Sequence, residues 1–303
     1  MGRIVGIGAC VFDTLYSVPT YPAEDTKMRA VSSKCAGGGP VATGLCAASR
    51  LGEDAAYIGV LSGDNGGAYL QKDFERYGVA TDLVEVKDGY RSFASVLWLC
   101  ADSATRTCVF DKGDLPALVL NEAQKEAIRP ASLLLVDGNE MDAAVEAATI
   151  ARASGVPVLY DCGGLYAGVE RLLALTDIMI PSEEFALGHT GCDDAEDAAR
   201  ALYEKYVPKV VVVTQGKRGG ILYDGKTLAS YPIYPAEVVD SNGSGDVFHG
   251  AFAAGLLKGY DVEKCCHFSS AVSAMKCMGV GARESVPDLD TVKQYMKENG
   301  YEL

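Results

Sequence analysis

Between residues 132 and 214, short apolar runs alternate with segments of helical period, and few architectures accommodate that alternation. Ser132-Leu-Leu-Leu-Val-Asp137, Val156-Pro-Val-Leu-Tyr-Asp161, Ile178-Met-Ile180 and Lys209-Val-Val-Val-Val-Thr214 read as strands. Met141 to Ala153, Leu165 to Leu175, a helix opening at Glu183 to Leu187, and Ala195 to Tyr206 fall between them. Strand and helix repeated in this order predict a parallel sheet with helices on both faces, a doubly wound α/β fold. Arg3-Ile-Val-Gly-Ile-Gly-Ala9 and Ala56 to Val60 read as further strands, with helices over Ala68 to Tyr77 and Ala123 to Ile128. Two more strands are expected around Gly220 to Ala229.

Two regions fall outside this rhythm. Arg91 to Cys100 and Thr105 to Phe110 flank Ala101-Asp-Ser-Ala104 and read as a β-hairpin. Leu15 to Lys34 holds two short β-compatible segments around Pro-Thr-Tyr-Pro. Together, residues 14–34 and 91–110 are expected to form a small sheet outside the main body, with Trp98 in a packing or subunit-contact role. No linker separates two full domains, so residues 1–303 read as one unit.

Composition narrows the function classes. The chain of 303 residues has 49% hydrophobic content, ample for a packed core, and a formal net charge of −14. That charge argues against a nucleic-acid partner, because phosphate backbones need a basic surface. It does not argue against a nucleotide, which needs only a local positive site. No apolar run approaches a membrane span. Met1 to Gly8 reads as a first strand rather than a secretory leader. The chain has ten cysteines and three histidines but no Cys-x-x-Cys pair. Structural zinc is therefore not expected, and the thiols read as reduced and mostly buried in a cytosolic protein.

The candidate chemistry lies in Asp240-Ser-Asn-Gly-Ser-Gly-Asp246-Val-Phe-His-Gly-Ala-Phe252, a glycine-rich turn opening directly into a helix. Gly243 and Gly245 allow left-handed angles and close approach of a ligand. The first N–H groups of a helix lack internal partners, and the helix dipole is positive there, so such a terminus binds anions. Asp246 in the same turn suits proton abstraction from a nucleophile that then attacks phosphate. On these residues alone, Asp246 serves equally well as a favourable charge at a helix start.

Other glycine loops are less specific. Gly6 and Gly8 hint at a dinucleotide fingerprint, but position 11 is Val11 and no helix-like stretch follows, which leaves little behind an oxidoreductase. Gln215-Gly-Lys-Arg-Gly-Gly220 lacks the upstream glycine and the hydroxyl of a Walker A loop. Asp13 lies just beyond the first strand, where parallel sheets bind ligands, and reads as a substrate contact or a turn cap. Cys35-Ala-Gly-Gly-Gly-Pro-Val-Ala-Thr43 is a second glycine loop feeding a helix of small residues, which suits close packing against the sheet.

Taken together, these pieces resemble the ribokinase-like, or PfkB-type, carbohydrate kinases over almost the whole chain. Asp240 to Asp246 matches the family's Asp-Thr-x-Gly-Ala-Gly-Asp box. Gly37-Gly-Gly-Pro matches its glycine loop, Thr214-Gln-Gly216 its Thr-x-Gly turn, and Gly279-Val-Gly-Ala-Arg283 through Pro287 its tail. The resemblance implies an ATP-dependent sugar kinase, with a small β lid on a doubly wound body and a dimer formed through the lid. It makes Asp246 the general base and the backbone of Gly243, Ser244 and Gly245 the anion hole. It assigns Asp13 to sugar hydroxyls, and Gly38 and Gly39 to the backbone against which the sugar lies. Thr214 and Gly216 would approach the nucleotide. A monovalent cation, K⁺ or Na⁺, would involve Asp240 and Asn242.

Two departures stand out. Thr43 occupies the place of a sugar-binding asparagine. Ser182-Glu-Glu-Phe185 stands where the family has Asn-x-x-Glu, the box that organises Mg²⁺ and phosphates. Ser182 is then at the nucleotide, and Glu183 or Glu184 is left to serve the metal through water or simply to favour the helix start. The Gly-Gly-Pro-x-Ala-Thr and Phe-His-Gly-Ala-Phe patterns are similar to sulfofructose-kinase-like members. An anionic sugar would call for a cation, from Lys27, Arg91 or Arg106, unless these are solvated surface charges. Two functions follow: a sugar kinase, or a non-catalytic sugar- or nucleotide-binding regulator on the same fold.

Overall fold

The computed structural model describes residues 2–103 and 105–303, so Ala104 of the expected hairpin turn lies outside the described residues. In chain order the elements begin with β1 (Arg3–Ile7), β2 (Val11–Val18), β3 (Ser32–Gly38), α1 (Pro40–Arg50), β4 (Asp54–Ser62) and α2 (Asn65–Tyr77). They continue with β5 (Val79–Ala80), β6 (Val84–Lys87), β7 (Ala94–Cys100), β8 (Thr105–Asp111), α3 (Glu122–Ile128), β9 (Leu133–Val136), α4 (Met141–Ala153) and β10 (Val158–Cys162). Next are α5 (Val169–Leu173), β11 (Ile178–Pro181), α6 (Glu183–Thr190), α7 (Ala195–Tyr206), β12 (Val210–Thr214), β13 (Gly220–Tyr223) and β14 (Leu228–Tyr231). Three helices follow: α8 (Ser244–Leu257), α9 (Val262–Lys276) and α10 (Leu289–Glu298).

The main sheet runs β14-β13-β12-β11-β10-β9-β1-β4-β5, with β6 beside β4. It is parallel from β12 to β5, and β13 and β14 close one edge antiparallel. Successive residues of its strands feed two separate cores. Leu133, Leu135, Val210 and Val212 join the core under α1, α2, α8, α9 and α10. Leu134, Val136, Val211 and Val213 join the core under α3 to α7. Both faces are thus buried, which is why these strands read as unbroken apolar runs rather than alternating ones. Helices α9 and α10 have no counterpart in the sequence reading. Their starts were nonetheless marked, since Asp261 and Asp288 cap them by accepting the Lys264 and Thr291 amides at 2.8 and 2.9 Å.

A second sheet, β3-β2-β7-β8, stands apart from the first. Strand β2 begins earlier and β3 ends later than expected, so Asp13 lies within β2 rather than just past β1, and Gly37 and Gly38 lie within β3 rather than in a loop. Only Leu15, Ala36 and Leu97 form its buried cluster, with Leu99 against them.

Glycines set the close approaches. A Cβ on Gly6 would meet Val41 and Leu45 of α1 at 2.7 Å, and one on Gly8 would meet the Asp137 carboxylate at 2.3 Å. The paired glycines that hinted at a dinucleotide loop thus make room for packing. Helices α1 and α8 cross in direct backbone contact, where a Cβ on Gly250 would fall 2.0 Å from the Gly44 carbonyl oxygen. The small residues of α1 therefore pack against a helix as well as the sheet, and that crossing brings the start of α8 beside the start of α1.

Candidate active site

The start of α8 adjoins the carboxyl ends of β10 and β11, the usual binding edge of a doubly wound sheet. Gly243 precedes the helix at φ 75°, a left-handed angle, and a Cβ there would meet Ala282 at 2.6 Å. Gly245 is different: its φ is ordinary, it is exposed, and a Cβ on it would meet open space. Its glycine character therefore serves clearance above the turn rather than the turn itself. The Ser244 amide donates to Ser241 O at 3.3 Å. Among the described residues the Gly243, Gly245 and Asp246 amides have no hydrogen-bond acceptor. Three N–H groups at a helix N-terminus are therefore free to hold an anion.

Asp246 sits half-buried among these amides. Burial raises its carboxyl above the usual range, against the opposing pull of His249, Arg106 and Lys276. One turn on, His249 staples the helix to the sheet. Its Nδ1 lies 2.7 Å from Gly245 O and 3.2 Å from Asp161 Oδ2, and its Nε2 lies 3.0 Å from Ile180 O. Asp161, at the end of β10, is buried, and burial raises its carboxyl as well. In the sequence this histidine stands inside the glycine-turn motif with no signal of its own, and its partner Asp161 closes the apolar run Val156 to Asp161.

The small sheet contributes the opposite wall. The Asp13 carboxylate is 6% exposed and accepts from Ser95 Oγ at 2.6 Å. Burial pushes it up to about 6, against Ser95 and Arg283, and the Asp246 charge adds to the rise. A Cβ on Gly38 would strike Asp13 Oδ2 at 2.1 Å. Gly39 turns the chain into α1 at φ 92°. Arg106, on β8, reaches across to Ser241 in the glycine turn, with its Nη1 donating to the hydroxyl at 3.1 Å. The other two candidate cations are not brought to the site in this way. Arg91 pairs with Asp111 and Asp114 at 2.8 and 3.2 Å, and Lys27 is exposed.

Beneath this wall lies a residue that the sequence reading placed only in a tail motif. Arg283 is 1% exposed. Its Nη1 donates to Asp73 at 2.6 Å, its Nη2 to Gly38 O at 2.7 Å, and its Nε to Thr43 Oγ1 at 3.2 Å. Thr43 has no accessible surface, so the hydroxyl expected to meet a ligand is instead an acceptor for Arg283. A Cβ on Gly37 would lie 2.2 Å from Arg283 Nη1 and 2.3 Å from Asp73 Oδ2. The first glycine of the triplet thus clears space for a buried ion pair.

On the far side, Ser182 bridges to Thr214 across the ends of β11 and β12, and its Oγ caps α6 by accepting the Phe185 amide at 3.1 Å. Gly216 follows at φ 56°. Glu183 accepts from Gln215 Nε2 at 2.8 Å and pairs with Arg218, whereas Glu184 is exposed. No group of three or more His, Cys, Asp or Glu among the described residues could cage a metal. All ten cysteines are free, and most are buried. No helix among the described residues is long and apolar enough to cross a membrane.

Residues 1–289 match the model of the pfkB family carbohydrate kinases. An uncharacterized sugar kinase from Archaeoglobus fulgidus is 29% identical over 248 residues, covering 79% of this chain and 97% of that protein. Among solved structures, a putative ribokinase from Agrobacterium tumefaciens superposes with a TM-score of 0.91 at 26% identity, covering 98% of each chain. The ribokinase of Arabidopsis thaliana, solved with ribose and ATP, superposes at 0.87 with 25% identity, covering 98% of this chain and 99% of that one. A family match along nearly its whole length, over a fold that agrees in detail, makes this chain a member of the pfkB family of carbohydrate kinases.

Proposed function

We propose that this kinase transfers the γ-phosphoryl group of ATP to a hydroxyl of a sugar or sugar derivative at the start of α8. One observation carries the reading. Three unpaired amides converge at a helix N-terminus, with a raised carboxylate in the same turn. The carboxylate takes the proton of the acceptor hydroxyl, the oxygen forms its bond to the γ-phosphorus, and the bond to the β-phosphate oxygen breaks to release ADP. A carboxyl raised above its ordinary range is the stronger base for that step. The Gly243, Gly245 and Asp246 N–H groups stabilise charge on the moving phosphoryl group, the Ser244 amide holds the turn through Ser241, and Arg106 adds positive charge above it.

Asp13 accepts from sugar hydroxyls, and Gly38 and Gly39 offer bare backbone to the ring. Thr43 acts through Arg283, which braces Gly38. The second sheet serves as a lid within a single catalytic unit. Ser182, Thr214 and Gly216 border the nucleotide. Glu184, the open carboxylate at the start of α6, would hold Mg²⁺ through water, with phosphate oxygens as its other ligands. When bound there, the metal neutralises phosphate charge. Tyr16, Val96 and Val109, between 37% and 58% exposed, lie on the lid face opposite Asp13, and a second copy of the chain covers them in a homodimer. The ten free thiols suit the reducing cytoplasm.

Glu183, tied to Gln215 and Arg218, favours one alternative, a ligand-binding regulator without turnover. ADP release measured across ketoses, nucleosides, deoxy-keto acids and sulfonated or phosphorylated sugars separates the two. Turnover of at least one acceptor is expected. Tight binding of ATP and a sugar with no ADP release from any of them establishes the regulator instead.

A further inference from the structure

Lys276 is the last residue of α9 and has no accessible surface. Its Nζ donates to the carbonyl oxygen of Asp240 at 2.8 Å. Each oxygen of the Asp240 carboxylate already accepts one amide, Oδ1 from Asn242 at 2.8 Å and Oδ2 from Gly281 at 2.8 Å. The Asp240 amide donates to Cys277 O at 3.1 Å. The turn that holds the anion-binding amides is thus clamped to the end of α9 around one buried ammonium.

A monovalent cation expected at Asp240 and Asn242 does not fit this arrangement. Such an ion needs several oxygen ligands at once, and here a buried ammonium already sits on the Asp240 carbonyl, while each carboxylate oxygen holds an amide and keeps one lone pair. A second positive charge beside Lys276 in a buried setting meets strong repulsion. The lysine, by contrast, is well placed to be charged. It ends a helix, where carbonyl dipoles favour a cation. Burial lowers its pKa, but Asp240 and Asp246 both oppose that fall.

We infer that Lys276 is a tethered cation, fixing the glycine turn in place of a free K⁺ or Na⁺ and freeing this enzyme from dependence on monovalent ions. The inference rests on the kinase reading for its activity arm alone. The ammonium supplies charge without leaving the protein, so the turn is formed before any ligand arrives.

The test compares K⁺, Na⁺ and tetramethylammonium chlorides at equal ionic strength, by thermal denaturation and by ADP release. For the native chain, neither the midpoint nor turnover should respond, with changes below about twofold in rate. In Lys276→Ala, which leaves room for an ion, K⁺ should raise the midpoint by several degrees. It should also restore turnover about tenfold, the scale of ordinary linkage between two sites. Lys276→Met, which fills the space with an uncharged chain, should lose turnover and gain no response to K⁺. A native protein stabilised or activated strongly by K⁺ overturns the inference. A folded Lys276→Ala whose midpoint ignores every cation also overturns it. Were no acceptor sugar phosphorylated, the kinase reading would fail and the denaturation arm would still decide this one. Were neither variant to fold, the native protein's cation response decides alone.

Discussion

Gly243, Gly245 and Asp246 lie within one turn at the start of a single helix, whereas Asp13, Gly38, Gly39 and Arg283 reach the facing wall from three separate regions of the chain. The first wall is rigid for a local reason. Helix α8 is buried along most of its length, crosses α1 in backbone contact at Gly44 and Gly250, and is stapled to β10 and β11 by His249. The second wall is rigid for a long-range reason. Arg283 holds Thr43, Asp73 and Gly38 from more than 200 residues away in sequence. One wall is a motif and the other an assembly. Replacing a residue of the motif should damage chemistry with little cost to the fold, and replacing a residue of the assembly should damage the fold first.

The sharpest break is Asp246→Asn. Turnover should fall by about 10²–10⁴-fold, the usual worth of a positioned general base. Nucleotide affinity and the denaturation midpoint should persist, because burial already disfavours the carboxylate there. Near-normal turnover with a known sugar would end the general-base assignment.

Arg283→Met is the converse. It leaves the Asp73 carboxylate buried without its cation, which costs about 3–5 kcal/mol in stability. Chemical denaturation reads the loss, and the pair Arg283→Met with Asp73→Asn should recover part of it. If stability held while only the Michaelis constant changed, Arg283 would be a ligand contact rather than a brace.

The smallest effect lies in pH. Asp13, pushed up to about 6 mainly by burial, should lose its charge as pH falls through that value, and affinity for the sugar should weaken there. The stability sign is opposite. A carboxyl raised in the folded state adds stability below its ordinary pKa and loses that addition as pH rises through about 6. Asp13→Asn should therefore remove the low-pH loss of affinity and raise the midpoint at pH well above 6 relative to the native chain. A midpoint difference that ignores pH would mean that Asp13 does not titrate in this window.

Much of the body was legible because its signals are local. Helices α4 and α7 lie where their periodicity put them, and the apolar strands could be nothing but buried. The bounds of the small sheet were not legible. Its strands bury only part of their length and mix polar with apolar residues, so nothing in the sequence separates a strand residue such as Asp13 from a turn that follows one. Arg283 was equally hidden. A lone arginine in a loop is ordinarily solvated, and only the space left by Gly37 and the carboxylate of Asp73 reveal it as a core residue. Lys276 carried no signal of its own in the sequence, and only the fold shows that Asp240 closes over it.

By itself, the sequence determined the alternation of strand and helix, the glycine turn and the carboxylate inside it, because backbone sterics and helix-end electrostatics act between near neighbours. Only the tertiary structure decided which charges are buried and what they hold: Thr43 turned to Arg283, Arg106 reaching the turn from the second sheet, and Lys276 under Asp240. The physical reason is that burying a charge is tolerable only with a partner at the right distance, and partners far apart in the chain are chosen by the fold.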